Sequence, residues 1–155
     1  MPVLIAVVGP SQPDPQVYQS AYQIGQFLGK YPKVVVLNGG LGGVMEASAK
    51  GVSTAGGLCI GLLPSDHKTD GNPYLTVALP TGLGPLRNYL LARACDLMVA
   101  VGESPGTLTE VTMALRLEKP VLALHWHTPL PGLHIFPDLP ALLDKLSDLL
   151  AAEDL

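Results

Sequence analysis

Along the chain, blocks of consecutive apolar residues alternate with blocks in which apolar residues recur every three or four positions. Residues 3–8 form an unbroken β-branched and aliphatic run closed by Gly9-Pro10, the pattern of a strand covered on both faces. Asp14 then stands as an N-cap before Pro15, and Val17, Ala21, Ile24 and Leu28 make one helical stripe that Pro32 stops. Residues 34–37 predict a second strand, and a small-residue helix over 44–55 follows, ended by Gly56-Gly57. Residues 58–63 predict a third strand, and the polar segment 64–73 an exposed loop. A fourth strand is predicted over 75–79, a helix over 85–94 and a strand over 97–101. A helix over 107–118 and a strand over 121–124 come next. A proline-rich stretch, 129–140, precedes a last helix whose stripe is Leu142, Leu146, Leu149 and Leu150.

Strands joined through helices require parallel pairing with right-handed crossovers. The expected fold is therefore α/β, a three-layer, doubly wound, mainly parallel sheet of about six to seven strands. It is Rossmann-like, and residues 1–155 are expected to form a single domain. In such sheets ligands bind beyond the carboxyl ends of the strands, where helices open with unpaired N–H groups.

Two strand-to-helix loops have the form such a site needs. The first holds Gly39, Gly40, Gly42 and Gly43, which permit tight turns and close approach of a ligand to the backbone. A plain turn with close helix packing explains the same glycines. The second runs from Gly102 to Thr107, where amides near Gly106 and Thr107, with the Thr107 hydroxyl, would suit a phosphate. The competing reading is a capping box, with Thr107 as cap and Glu110 reaching back to it. Arg87 opens the preceding helix, where the dipole disfavours a cation; a surface ion pair or a bidentate anion clamp would account for it.

Composition narrows the partners. Charged residues are 14% of the 155, against about 25% in ordinary domains. So little charge implies surface covered by further copies of the chain, and a homo-oligomer, dimer or tetramer, is expected. The net charge of −4 argues against nucleic acid or an anionic membrane as partner. Cys59 and Cys95 read as buried thiols of a reducing compartment, and without a leader or a membrane-length apolar run the expected location is cytoplasmic. Gly9-Pro10-Ser11-Gln12-Pro13 is not a dinucleotide fingerprint, Asn38 is not an acidic ribose ligand, and no Walker-type sequence or nucleophile elbow occurs. His125 and His127 share one strand face without a third ligand, so no metal site is expected.

The two loops with Arg87 between them resemble the LONELY GUY family and the wider Smf/DprA-related Rossmann group. Gly39-Gly40-Leu41-Gly42-Gly43-Val44-Met45 is similar to that family's Gly-Gly-x-x-Gly-Leu-Met loop. Gly106, Thr107 and Glu110 match the end of its P-G-G-x-G-T-x-x-E loop, Arg87 lies 23 residues before Glu110, and Arg93 and Asp96 also match. The Val-Met-Glu-Ala and Arg87-Asn88 pairs resemble a short bacterial branch akin to molybdenum cofactor carrier proteins. The resemblance spans roughly residues 3 to 125.

The resemblance implies binding of a phosphate-bearing small molecule, a nucleoside monophosphate or a pterin phosphate such as molybdenum cofactor as cargo. It implies ligand contacts from Gly39, Gly40, Gly42, Gly43, Met45, Asn88, Ser104, Gly106 and Thr107. If the protein is an enzyme, it implies a nucleoside 5′-monophosphate phosphoribohydrolase, with Arg87 and Glu110 catalytic. Gly102-Glu103-Ser104 replaces the family's Pro-Gly-Gly, and Pro85-Leu86 its Met-His. Glu103 would repel an anion unless its side chain turns away, and Ser104 would offer a hydroxyl. These departures favour a binder over an enzyme, and leave open an oligomer with a vestigial pocket.

Overall fold

Asp14 accepts a hydrogen bond from the Val17 amide at 2.9 Å, and with Pro15 behind it the chain turns cleanly out of its first strand into its first helix. The same alternation is repeated through the computed structural model, which describes residues 1–152. The elements are β1 (Val3–Val8), α1 (Pro15–Gly29), β2 (Val34–Asn38), α2 (Val44–Thr54), β3 (Leu58–Leu63) and β4 (Val77–Pro80). They continue with α3 (Arg87–Ala94), β5 (Leu97–Val101), α4 (Pro105–Arg116), β6 (Val121–Leu124), β7 (His134–Ile135) and α5 (Leu139–Ala152).

All seven strands form one parallel sheet in the order β4-β3-β2-β1-β5-β6-β7. The expected three-layer, Rossmann-like α/β fold is the one found. β1 lies in the middle, and its side chains alternate between two cores. Val3, Ile5 and Val7 pack with the stripes of α1, α2 and α5, including Ile24, Leu28, Val52, Leu142 and Leu146. Ala6 and Val8 pack on the other face with Leu91, Val111 and Ala114 of α3 and α4. Burial drives both thiols up, Cys59 to about 12 and Cys95 to about 11, as inert core groups.

α1 and α2 pack backbone to backbone. A Cβ on Gly25 would stand 2.2 Å from the Ser48 carbonyl oxygen, and one on Gly51 would stand 2.1 Å from that of Tyr22. This contact holds α2, and so the loop that feeds it, close to the loop leaving β1.

Several boundaries differ from expectation, and α3 begins at Arg87 instead of residue 85 because Gly84–Leu86 form a separate 3-10 turn. β4 begins at Val77, because Leu75 folds over Gly61 and Gly71 while Thr76 hydrogen-bonds Cys59 through both its amide and its hydroxyl. β7 is a two-residue strand inside the proline-rich stretch, too short to leave an apolar pattern. α4 starts at Pro105, two residues ahead of the expected Thr107, because Ser104 is the N-cap and Pro105 fits the first helical position.

Candidate functional site

In an open parallel sheet a cleft forms where neighbouring crossovers leave in opposite directions. Here that point is the carboxyl end of β1, with β2 on one side and β5 on the other. A cleft of about 290 Å³ opens there, lined by Val8, Gly9 and Ser11 after β1, Gly39, Leu41 and Met45 after β2, Arg87 and Asn88 of α3, and Ser104, Gly106, Thr107 and Glu110 of the β5–α4 connection.

Arg87 is the cation of the cleft and is 9% exposed. Its Nε donates to Asn88 Oδ1 at 2.9 Å, and its Nη1 donates to the carbonyls of Gly39 and Leu62. These bonds tie α3 to the ends of β2 and β3. Nη2 makes no hydrogen bond to a described residue, and Arg87 lines the cleft. Gly39 is what makes the seat possible: a Cβ there would lie 2.5 Å from Nη1 and 2.6 Å from the Met45 sulfur. Burial lowers the Arg87 pKa and Glu110 opposes that shift, but a guanidinium stays charged.

The capping box expected at Thr107 is not formed. The Thr107 amide donates to Ser104 Oγ at 3.2 Å, and the two hydroxyls lie 2.8 Å apart. Pro105 has no N–H, which leaves the Gly106 amide as the unclaimed donor opening α4. Glu110, one turn on, is 9% exposed and lines the cleft, yet makes no hydrogen bond or ion pair with any described residue. Burial pushes its carboxyl up to about 7, with Arg87 pulling the other way.

Glu103 does not oppose an anion here. It turns from the cleft to accept hydrogen bonds from the amides of His127 and Thr128 and the Thr128 hydroxyl. Slight burial works against its charge, but those bonds prevail and hold the carboxyl below its ordinary range. His125 Nε2 lies 2.9 Å from Ser20 Oγ, which ties the end of β6 to α1. Asp96 accepts from the Leu4 amide at 2.9 Å, a strand-to-strand brace, and Arg93 is exposed.

Of the residues singled out in the sequence, Gly39, Met45, Arg87, Asn88, Ser104, Gly106, Thr107 and Glu110 meet in one cleft. Gly40, Gly42 and Gly43 do not line it. Gly40 packs against Leu63, and its φ of +79° favours glycine, as does the +67° of Gly43 against Pro10 and Ser11. Their loop is pinned by Asn38, whose Oδ1 accepts from the Gly40 amide at 2.8 Å and whose Nδ2 donates to the Met45 carbonyl at 2.9 Å. Asn72 holds its far side through the carbonyls of Gly40 and Leu41. Sequence reasoning did not pick out Val8, Gly9, Ser11 and Leu41. Gly9 had a readable signal, because glycine directly after a central strand marks close backbone approach.

A parallel α/β protein with one cleft at its switch point, walled by a buried arginine and an unpaired buried glutamate, is the class that fold and site define. Within it, the chain belongs to the SLOG cluster4 family, whose model matches residues 2–137. It is similar to the molybdenum cofactor binding protein of Rippkaea orientalis, 31% identical with a TM-score of 0.86 over 97% of this chain and 98% of that one. It is likewise similar to the molybdenum cofactor carrier protein of Chlamydomonas reinhardtii, 29% identical with a TM-score of 0.86 over 97% and 99% of the two chains. An uncharacterised protein of Archaeoglobus fulgidus is 36% identical over 132 residues, 85% of this chain and 86% of that one. The DNA processing protein A of Helicobacter pylori, 16% identical with a TM-score of 0.73 over 95% of this chain and 81% of that one, shares the fold. The relation to the Smf/DprA-like Rossmann group expected from the loops is thus borne out. No helix among the described residues is long and apolar enough to cross a membrane.

Proposed function

We propose that the chain binds a small phosphate-bearing molecule in this cleft, a nucleoside monophosphate or a pterin phosphate such as molybdenum cofactor, and holds it as cargo. The observation that carries this reading is that the buried Arg87, the Gly106 amide donor that opens α4 and Glu110 line one cleft. A phosphate would take the first two, one charge-assisted and one aided by the helix dipole. Each contact contributes about 1.5–3 kcal/mol, enough for micromolar binding once a ring packs against Leu41 and Met45. The likeness to molybdenum cofactor binding and carrier proteins over nearly the whole chain supports the pterin form.

The test is mass spectrometry of small molecules released from the purified protein, with calorimetry against AMP and released molybdenum cofactor. A phosphorylated ligand at near-stoichiometric level supports the reading. Failure of a folded sample to bind either compound, with nothing co-purifying, sinks it. The unpaired Glu110 favours one second reading, a phosphoribohydrolase of LONELY GUY type, since a carboxyl near 7 suits general acid–base chemistry. Release of adenine from AMP that disappears in Arg87→Ala would establish it.

The oligomer expected from composition has a definite face in this reading. On the α3 side of the sheet, α3 and α4 leave the β3–β4 edge uncovered. Leu58, Val77, Leu79 and Leu83 are exposed there beside Leu86 and Tyr89 of the helix start, and Leu86 is 67% exposed. These six residues are uncharged, and an apolar patch can pair with its own copy about a two-fold axis. Light scattering should give a dimer or tetramer, and Leu86→Asp with Tyr89→Asp should disperse it with little change in melting temperature. A monomeric parent protein would end the proposal.

A further inference from the structure

We propose that Glu110 makes anion binding in the cleft proton-linked: the site accepts an anion with Glu110 neutral, and ionisation of Glu110 closes it. This rests on the reading of the cleft as an anion site and adds how that site is regulated.

The argument starts from where the carboxyl sits. Glu110 lies on α4 one turn inside its opening, on the same face as Thr107, and it lines the same cleft as Gly106. It is nine-tenths buried and unpartnered among the described residues. Arg87, the obvious counter-ion, is held by Gly39, Leu62 and Asn88 and forms no ion pair with it. The Glu110 oxygens are reachable from the cleft, but a carboxylate nine-tenths buried without a protein hydrogen bond still loses solvation, and protonation removes that cost. Among the described residues lining the cleft, Arg87 alone carries a charge that could stabilise it. α3 presents Arg87 and the uncharged Asn88. The loop after β1 presents Ser11, the loop after β2 presents Met45, and α4 itself presents Ser104 and Thr107. Arg87 is the one charged group acting on it, and its influence is smaller than that of burial.

The consequence for a ligand follows by counting charge. With Glu110 neutral the cleft has a net positive charge from Arg87 and the positive end of α4, which attracts an anion. With Glu110 ionised that charge is cancelled, and an incoming phosphate meets a carboxylate across the cleft. Binding an anion therefore favours the protonated carboxyl, and the proton is drawn from the buffer. The neutral acid also gains a use, since its O–H can donate to a phosphate or hydroxyl oxygen that a carboxylate would repel.

Two measurements on the full chain separate this proposal from the binding reading beneath it. The first needs no ligand. A carboxyl whose folded pKa lies above its unfolded value binds its proton more tightly in the native state, so its contribution to stability is present at low pH and lost as pH rises through about 7. The melting temperatures of wild type and Glu110→Gln should agree in shape up to about pH 5. The variant should gain on wild type by roughly 5 °C between pH 5 and pH 8. The second is calorimetric titration with AMP from pH 6 to pH 8.5. The affinity of wild type should fall as pH rises from 6 to 8.5 while that of Glu110→Gln should not follow it, so that the ratio of the two shifts about tenfold or more in favour of the variant, since the amide cannot ionise. Taking the ratio of the two proteins removes the titration of AMP's own phosphate. Parallel melting curves across the range overturn the proposal, as does AMP binding with identical pH profiles. Divergent melting curves with no AMP binding by either protein at any pH would also overturn it, since a proton on Glu110 would then gate no anion.

Discussion

Gly51→Ala lowers the melting temperature by roughly 6–12 °C, against what helix propensity alone predicts. Gly51 lies inside α2, and alanine in a helix interior is favoured over glycine by about 1 kcal/mol. The opposing effect is steric and larger. The new Cβ would lie 2.1 Å from the Tyr22 carbonyl oxygen and 2.7 Å from the Gln26 amide nitrogen, both backbone atoms of α1 that no rotamer change can move. The two helices must separate by about 1 Å, and overpacking of this kind costs roughly 1–3 kcal/mol, occasionally more. Separation also uncovers Val52, Ala47 and the α1 stripe between them, so we expect a net loss of about 3 kcal/mol, equivalent to the stated shift for a chain of this size. Gly42→Ala is the control: nothing lies within 4 Å of its Cβ position, and its melting temperature should stay within a degree or two of wild type. Unfolding temperatures by calorimetry decide it. Equal values for the two variants would mean that the α1–α2 contact is not as close as described.

That contact also shows where sequence reading ran out. The apolar runs and stripes are periodic and local, so β1, α1, β2, α2, β3, β5, β6 and the α5 stripe could be read directly from spacing. Why α2 is built from small residues could not, because the reason is the approach of a helix some 25 residues earlier in the chain. The same limit applies at the site. Arg87 and Glu110 were legible, since charged residues in otherwise apolar or glycine-rich settings stand out. What they touch was not. That Arg87 would spend Nη1 on the carbonyls of Gly39 and Leu62 depends on β2 and β3 ending side by side. The glycine run illustrates the opposite error. It reads as a ligand cradle, but only Gly39 and Leu41 of residues 39–43 line the cleft. Asn38 and Asn72 use the run as a turn, and Gly40 and Gly43 are needed for their positive φ. At α4 the sequence offered two caps three residues apart, Ser104 and Thr107. The proline between them decided the outcome, since its ring fits the first helical position and lacks the N–H that would go unpaired there.

Arg87→Ala should weaken binding of a phosphate ligand about 100-fold, the largest functional effect expected of any single change in the cleft. The charge-assisted bond from Nη2 contributes about 1.5–3 kcal/mol by itself. Further loss comes from the seat. Without the guanidinium the carbonyls of Gly39 and Leu62 lose their donor, and the tie that fixes α3 against the ends of β2 and β3 is gone. Glu110 would also lose the one charge that lowers its pKa, so the carboxyl stays neutral to higher pH and part of the electrostatic loss is offset. Arg87→Lys separates charge from geometry. An ammonium supplies the positive charge, but with all its donors on one nitrogen it cannot occupy the seat of Nη1 on the two carbonyls and also reach the position of Nη2. The lysine variant should therefore lie between the other two, roughly tenfold weaker than wild type. Calorimetric titration of all three with the ligand that co-purifies, or with AMP, gives the comparison. Wild-type affinity in Arg87→Ala would remove the arginine from the site. Equal losses in the alanine and lysine variants would assign its role to the geometry of the seat, with its charge irrelevant to the ligand.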